Sequence, residues 1–142
     1  MINLELARTL IKDAFSHGKS LGLKPLSVVV LDPGGYPIAF ERQDGASNLR
    51  FKMAHAKAFG SLGLGMGSRG IFNRAEQQPY FVESVNTMAD GQLLPVPGGV
   101  IVRSKDGGIL GAMGITGDTS DNDEACAVVA IEKAQLVADT GE

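Results

Sequence analysis

The spacing of apolar positions along the chain predicts helices at both ends and in the middle, separated by two β-hairpins. Apolar residues recur every three or four positions from Leu4 to Leu21, which predicts an amphipathic helix there. The run Leu26–Leu31 is apolar at nearly every position and rich in valine. Such a run is typical of a strand that is buried on both faces.

Two short turns predict the hairpins. Asp32–Gly35 has proline and glycine where a tight turn needs them, and Tyr36–Arg42 is expected to return as the second strand. Toward the C-terminus, Lys105–Gly108 has the same turn chemistry between the predicted strands Gly99–Ser104 and Ile109–Thr116. Neighbouring strands joined this way are antiparallel, so the sheet is expected to be antiparallel.

Helical spacing fills the remainder of the chain. We expect a helix from about Leu49 to Leu62 with Ser47 or Asn48 as its N-cap, and a closing helix from Asp121 to Asp139. Between them the pattern predicts a short helix at Arg69–Ala75, a second at Gln77–Met88, and an extended segment at Leu94–Pro97. Hairpins flanked by helices indicate an α+β fold, and 142 residues fit a single domain over 1–142.

Composition narrows the class of protein. A net charge of −3 with scattered basic residues argues against a nucleic-acid partner. No apolar stretch is long enough to span a bilayer and no signal peptide is evident, so we expect a cytoplasmic protein without a membrane partner. The single cysteine excludes an internal disulfide. Nineteen glycines and no tryptophan indicate small buried side chains, typical of a homo-oligomer, a dimer or larger.

The second long helix holds the best candidates for ligand binding. Arg50 and Lys57 share one face, and together with Arg69 they could bind the carboxylates of a ligand; each could equally be an ordinary solvated cation. His55 has apolar neighbours at helical spacing. A histidine in that position is either a partly buried side chain or an axial ligand of haem iron.

Glycines recur in the last third of the chain. Gly111, Gly114 and Gly117 follow one another every three residues. In a strand they allow a helix to cross close to the sheet, or they mark β-bulges. A second interpretation is that they form, with Gly98 and Gly99, a flat wall for a planar ligand.

Acidic residues crowd the start of the predicted closing helix. Asp121 and Glu124 have capping-box spacing, and acids in a first turn suit the helix dipole. Together with Asp118 and Asp123 they could instead bind a divalent cation, although the spacing matches no calcium loop and the metal is unknown. Cys126, alone on an apolar helix face, is expected to be a core residue.

Four segments together resemble one family. They are Ala56–Ala58, Pro97–Gly99, Ile109–Ile115 and Asp121–Cys126, and the resemblance to the GlcG/HbpS family runs from Leu4 to about Ala138. This family is also called haem-degrading or DUF336, and occurs as the C-terminal part of PduO-type corrinoid adenosyltransferases. The resemblance implies a profilin-like sheet flanked by helices, assembly into oligomers, and binding of haem or a related tetrapyrrole. It transfers a haem ligand onto no position of this sequence.

Two main hypotheses about function follow. The first is a protein that binds haem or a related carboxylated tetrapyrrole, with Arg50, Lys57 and Arg69 on the carboxylates and His55 as axial ligand. The second is a cofactor-independent catabolic enzyme, a hydrolase, deaminase or isomerase, that acts on a small acidic or enamine-like intermediate. In the second, Asp123 or Glu124 would move protons. A third is an assembly partner whose surface is its function.

Overall fold

A computed structural model describes all of residues 1–142. The chain forms five helices and five strands, so the α+β class predicted from the sequence is confirmed. A bilayer-crossing helix, which needs a long and strongly apolar stretch, does not occur among them. In chain order the elements are α1 (Leu4–Ser20), β1 (Ser27–Leu31), β2 (Pro37–Arg42), α2 (Arg50–Leu64), α3 (Ser68–Gln77), α4 (Pro79–Met88), β3 (Gly99–Arg103), β4 (Ile109–Thr116), α5 (Ser120–Lys133) and β5 (Val137–Asp139).

The strands form one antiparallel sheet in the order β2-β1-β4-β3-β5. The two predicted hairpins lie side by side, because β1 of the first pairs with β4 of the second. This register sets Ser27 opposite Thr116 and Val29 opposite Gly114. Residues opposite each other point to the same face of an antiparallel pair, so the register also decides which side chains meet the helices.

Helices cover both faces of the sheet. Val28 and Val30 of β1 point into the larger core with α1 and α5, and Val29 and Leu31 point into a smaller core with α2. Both sets are fully buried, which explains why β1 reads as a continuous apolar run rather than an alternating one. The helices α3 and α4 form a third small core at Ile71, with Val82 and Leu93.

Two strand glycines let α2 approach the sheet. A Cβ on Gly114 would lie 2.0 Å from the Ala54 carbonyl oxygen, and one on Gly99 would lie 2.1 Å from the Lys57 carbonyl oxygen. Real Cβ atoms do not come so close to backbone, so only glycine fits where α2 crosses β4 and β3. The interpretation that a strand glycine permits a close helix crossing is confirmed at Gly114.

The closing helix is shorter than the sequence pattern predicts. It was expected to reach Asp139, but it ends at Lys133 and the chain then forms β5 against β3. The end is a Schellman motif, in which the Gln135 amide donates to the Glu132 carbonyl and the Leu136 amide donates to the Ile131 carbonyl. The left-handed position of this motif, usually glycine, is Gln135 with φ of 61°.

The helix caps also differ from prediction. The N-cap of α2 is Leu49, whose side chain makes no capping hydrogen bond, rather than Ser47 or Asn48. The N-cap of α5 is Thr119, whose hydroxyl accepts the Asn122 amide proton at 3.2 Å. The expected capping box at Asp121 and Glu124 is therefore wrong, because both carboxylates bind a residue of α3 instead.

Replacement of Gln135 by glycine is expected to stabilise the fold by about 0.5–1 kcal/mol, because glycine adopts a positive φ without the steric cost of a Cβ. Thermal and urea unfolding followed by circular dichroism would measure the gain. The matched control is Gln135→Ala, which removes the amide but keeps the Cβ and should show no comparable gain. Equal stabilities of the two variants would contradict the strain argument.

Candidate functional site

A buried ion pair joins the two sides of the sheet. The Lys57 ammonium of α2 donates to the Ile115 carbonyl oxygen at 2.9 Å and to the Asp123 carboxylate of α5 at 3.2 Å. Both side chains are only 2% exposed. The second Asp123 oxygen accepts the Asp118 amide proton at 3.0 Å, so the carboxylate is bound at both oxygens.

Gly98 makes room for this pair at the start of β3. A Cβ there would lie 2.8 Å from the Lys57 nitrogen and 2.9 Å from its Cδ, and the backbone has φ of 125°. Burial lowers the pKa of Lys57 and raises the pKa of Asp123, while the attraction between the two opposes both shifts. The two charges therefore lose their solvation by water and gain in its place their mutual contact and one backbone hydrogen bond each.

A second charged cluster links α3 to the first turn of α5. The Arg69 guanidinium donates to both Glu124 oxygens at 3.1 and 3.0 Å and to the Asp121 carboxylate at 2.5 Å. These hydrogen bonds raise the pKa of Arg69 further above its ordinary range. The Arg69 side chain is 22% exposed and that of Glu124 is 14% exposed. Both groups are thus engaged with each other near the surface.

Arg50 differs from the other two cations because it contacts no carboxylate. Its guanidinium donates to the Thr116 hydroxyl at 2.8 Å and approaches the Met53 sulfur at 3.8 Å. None of the ion pairs in the structure includes it. Among the predicted carboxylate-binding residues, Arg50 alone keeps a guanidinium free of an acidic partner.

His55 lies in a row of aromatic rings where α2 packs beside the edge strand β2. Its ring stacks on Phe59 with centroids 5.2 Å apart and stands 5.9 Å from Phe51, which in turn meets Phe40 edge-to-face at 4.8 Å. We call these four residues the aromatic cluster. Phe51 is 38% exposed and the other three are half-buried, so the cluster reaches the surface.

The imidazole of His55 is suited to bind a ligand. Neither ring nitrogen takes part in a hydrogen bond within the chain. Partial burial lowers the pKa of His55 below its ordinary value, which favours the neutral ring at pH 7. A neutral imidazole with a free nitrogen is the form that coordinates metals.

Most of the candidate residues thus fall into two groups. Lys57, Asp123, Gly98 and Gly99 meet at the start of β3, where Gly98 and Gly99 are buried and face Lys57 atoms on the side that a Cβ would occupy. Arg69 and Glu124 meet between α3 and α5, as described above. Arg50 and His55 make no hydrogen bond to either group, although the charge of Arg50 contributes to lowering the pKa of Lys57. The roles assigned to all of these residues in binding or catalysis stay predictions.

Sequence reasoning did not select Ser27, Thr116 and Phe40. Thr116 receives the Arg50 hydrogen bond, and Phe40 extends the aromatic cluster. The Ser27 hydroxyl is buried and has no hydrogen-bond partner. The sequence gives only a weak indication of these three residues, because each is a residue type common in strands. Only the strand register shows which side chains lie opposite them.

The acidic turn is held by hydrogen bonds of its own. Asp118 accepts the Asn122 side-chain amide at 2.8 Å and the Lys24 backbone amide at 3.0 Å. No group of three His, Cys, Asp or Glu side chains is arranged to hold a metal ion. Cys126 is fully buried, as predicted for a core residue, and burial raises the pKa of its thiol to about 11.

Acid should weaken the fold partly through Asp118. The donors from Asn122, Thr119 and Lys24 lower the pKa of Asp118 from 3.8 to about 2. Its stabilising contribution is therefore complete above the unfolded-state pKa and is lost as the pH falls toward 2. In Asp118→Asn, unfolding free energies measured from pH 5 to 2 should decline less steeply than in the parent. Parallel curves for the two proteins would contradict this assignment.

Comparison with known proteins identifies the family to which the chain belongs. Residues 2–132 match the family model described as "Haem degrading protein HbpS-like". The match spans most of the chain, and the protein therefore belongs to the HbpS-like family, as its resemblance to the GlcG/HbpS group predicted. No curated protein matches the sequence.

Solved structures share the fold across nearly the whole chain. A PduOC–haem complex has a TM-score of 0.83 at 20% identity and covers 99% of each chain. The protein ORFY of Klebsiella pneumoniae has a TM-score of 0.83 at 21% identity, over 92% of this chain and 88% of its own. A double mutant of HbpS from Streptomyces reticuli has a TM-score of 0.78 at 25% identity, over 93% and 86%.

Proposed function

We propose that this protein binds haem or a related planar tetrapyrrole at the aromatic cluster, with His55 as the ligand to the metal. The observation that carries the proposal is the His55 ring itself, half-buried between Phe51 and Phe59 with both nitrogens free of hydrogen bonds. The family description and the haem complex of the PduOC relative support the choice of ligand.

The residues of the cluster fit such a ligand chemically. Phe40, Phe51 and Phe59 offer ring faces and edges that pack against a flat aromatic macrocycle. Because its pKa is lowered, His55 offers its nitrogen without first having to lose a proton at neutral pH. When bound, haem would supply a redox-active iron at this surface. The residues of this chain would hold it and limit the access of water to one of its faces.

Arg50 is the best placed of the predicted residues to bind a carboxylate. Lys57 and Arg69 already neutralise Asp123, Glu124 and Asp121, and a ligand carboxylate would have to compete with them. Arg50 would gain a partner without breaking an ion pair. This favours a ligand whose acidic group approaches the start of α2.

The alternative of a cofactor-independent enzyme has less support from the geometry. The Asp123 carboxylate is buried against Lys57, and Glu124 is held by Arg69, so neither acid is presented to a substrate. General acid–base catalysis needs a group within reach of the substrate proton. The catalytic roles of Asp123 and Glu124, and the expected homo-oligomer, stay predictions.

Haemin titration tests the proposal directly. The parent protein should show a saturable Soret change at a defined stoichiometry. His55→Ala should bind at least about tenfold more weakly and lose the spectral features of imidazole ligation, because the iron loses its protein ligand. The matched control is His17→Ala, which removes the other histidine, near the end of α1, and should titrate like the parent. Identical spectra and affinities for His55→Ala and the parent would overturn the proposal.

A further inference from the structure

An unpaired cation lies at the N-terminus of α2. Arg50 is the first residue of the helix, and one of its guanidinium N–H groups donates to the Thr116 hydroxyl at 2.8 Å. The buried Asp123 carboxylate is engaged by Lys57 and by the Asp118 amide, and no ion pair joins it to Arg50. The remaining guanidinium N–H groups have no acceptor of opposite charge.

The helix terminus adds to this positive potential. Its N-cap Leu49 offers no side-chain acceptor, and the first turn contains no acidic residue. The backbone amides of Phe51 and Lys52 donate to no acceptor within the chain. An uncapped N-terminus has a partial positive charge that favours an anion.

A buried hydroxyl without a partner provides independent evidence. Ser27 is 0% exposed and its Oγ makes no hydrogen bond. Ser27 points to the α2 face of the sheet, because it alternates with Val28 and lies directly opposite Thr116 in the β1–β4 ladder. The unpaired Ser27 hydroxyl therefore belongs to the residue directly opposite Thr116, whose hydroxyl Arg50 binds. Buried polar groups are rarely left unsatisfied, so this one points to an absent acceptor.

The side chains of Arg50, Thr116 and Ser27 each have at least one hydrogen-bond donor that binds no acceptor in the chain. The Thr116 oxygen accepts from Arg50, which leaves its own proton free, and the Ser27 proton is free as well. We propose that Arg50, Thr116 and Ser27, at the N-terminus of α2, form a binding site for the carboxylate group of a small organic acid. The two oxygens of a carboxylate can accept from the guanidinium and from both hydroxyls.

Propionate and its neutral isostere propionamide test this site. At constant ionic strength, propionate should raise the melting temperature in a saturable way, while propionamide and chloride should not. Arg50→Lys and Arg50→Gln should weaken propionate binding, the latter by at least about tenfold, because a charged hydrogen-bond donor is lost. Lys52→Gln removes an exposed charge two residues away and serves as the matched control, with binding within about twofold of the parent.

Ser27→Ala gives the sharpest discrimination. If the hydroxyl binds the ligand, the variant should bind propionate several-fold more weakly than the parent does. If Ser27→Ala instead becomes more stable while propionate affinity is unchanged, the hydroxyl is merely an unsatisfied group and the proposal is overturned. Equal effects of propionate and propionamide would overturn it as well.

The carboxylate could belong to a free acid or to a tetrapyrrole side chain, and haemin dimethyl ester separates the two. Weaker binding of the ester than of haemin, in the parent but not in Arg50→Gln, would assign the site to the tetrapyrrole. Equal binding of both, together with saturable propionate binding, would assign it to a free acid. The site does not rest on His55, so propionate binding should persist in His55→Ala whatever haemin does.

Discussion

Alanine in place of Gly114 is expected to destabilise the protein by more than about 3 kcal/mol, or to prevent folding. The new Cβ would lie 2.0 Å from the Ala54 carbonyl oxygen, 2.9 Å from its carbon and 3.0 Å from the Ala58 Cβ. Backbone of a helix and backbone of a central strand both resist movement, so α2 would have to lift off the sheet. Urea unfolding monitored by circular dichroism measures the loss.

Gly63→Ala is the matched control for this substitution. Gly63 lies inside α2, and a Cβ there meets no atom within 4 Å. Alanine should therefore stabilise this helix by about 0.5–1 kcal/mol, the usual difference in helix propensity. A Gly114→Ala variant that unfolds at the same urea concentration as the parent would mean that α2 does not cross β4 at this distance.

The same glycines show how far the sequence alone defines the fold. A glycine inside an apolar strand run has few explanations other than a close approach, and the hairpin turns at Asp32–Gly35 and Lys105–Gly108 fix local pairing. These signals are local in sequence, and the elements they predict are present in the structure. The pairing of β1 with β4 joins residues far apart in the chain, which no local pattern specifies.

The end of α5 shows where local signals fail. Helical spacing continues past Lys133, and the residue that ends the helix is Gln135 rather than the glycine that normally marks such a position. The following strand β5 has only three residues, too few for a period-two pattern. Packing of Leu136 against the main core and pairing with β3 decide the conformation there, and both depend on the tertiary fold.

The sequence predicted several residues of the candidate site but not how they pair with one another. Lys57 and Asp123 were both selected from the sequence, but for separate roles, since they stand 66 positions apart and their pairing depends on the sheet between them. Arg69 and Glu124 were also assigned different tasks, and they bind each other. Residue type and helix face indicate which groups can do chemistry. Whether such groups remain free is decided by contacts between distant elements.

Breaking the Lys57–Asp123 pair is expected to cause the second large loss of stability. Lys57→Met should destabilise the protein by about 3–5 kcal/mol at pH 7, because it leaves the buried Asp123 carboxylate without its counter-charge. The loss of Lys57 should raise the pKa of Asp123 further, so protonation would relieve part of the cost. A group with a raised folded-state pKa adds stability as the pH falls through that pKa. The deficit, measured by urea unfolding against the parent from pH 8 to 4, should therefore shrink toward acid.

Asp123→Asn completes a double-mutant cycle with Lys57→Met. It removes the negative charge of Asp123 and nearly preserves the shape of the side chain. The asparagine oxygen can still accept the Asp118 amide proton, so this variant leaves chiefly a buried ammonium without a counter-charge. The double variant buries no unpaired charge, and it should be more stable than the sum of the single effects predicts by about 1–3 kcal/mol. Additive losses would mean that the two groups do not interact, and a Lys57→Met deficit that is constant with pH would mean that Asp123 is solvated. Either result would contradict the geometry in which Gly98 lets Lys57 reach across the sheet.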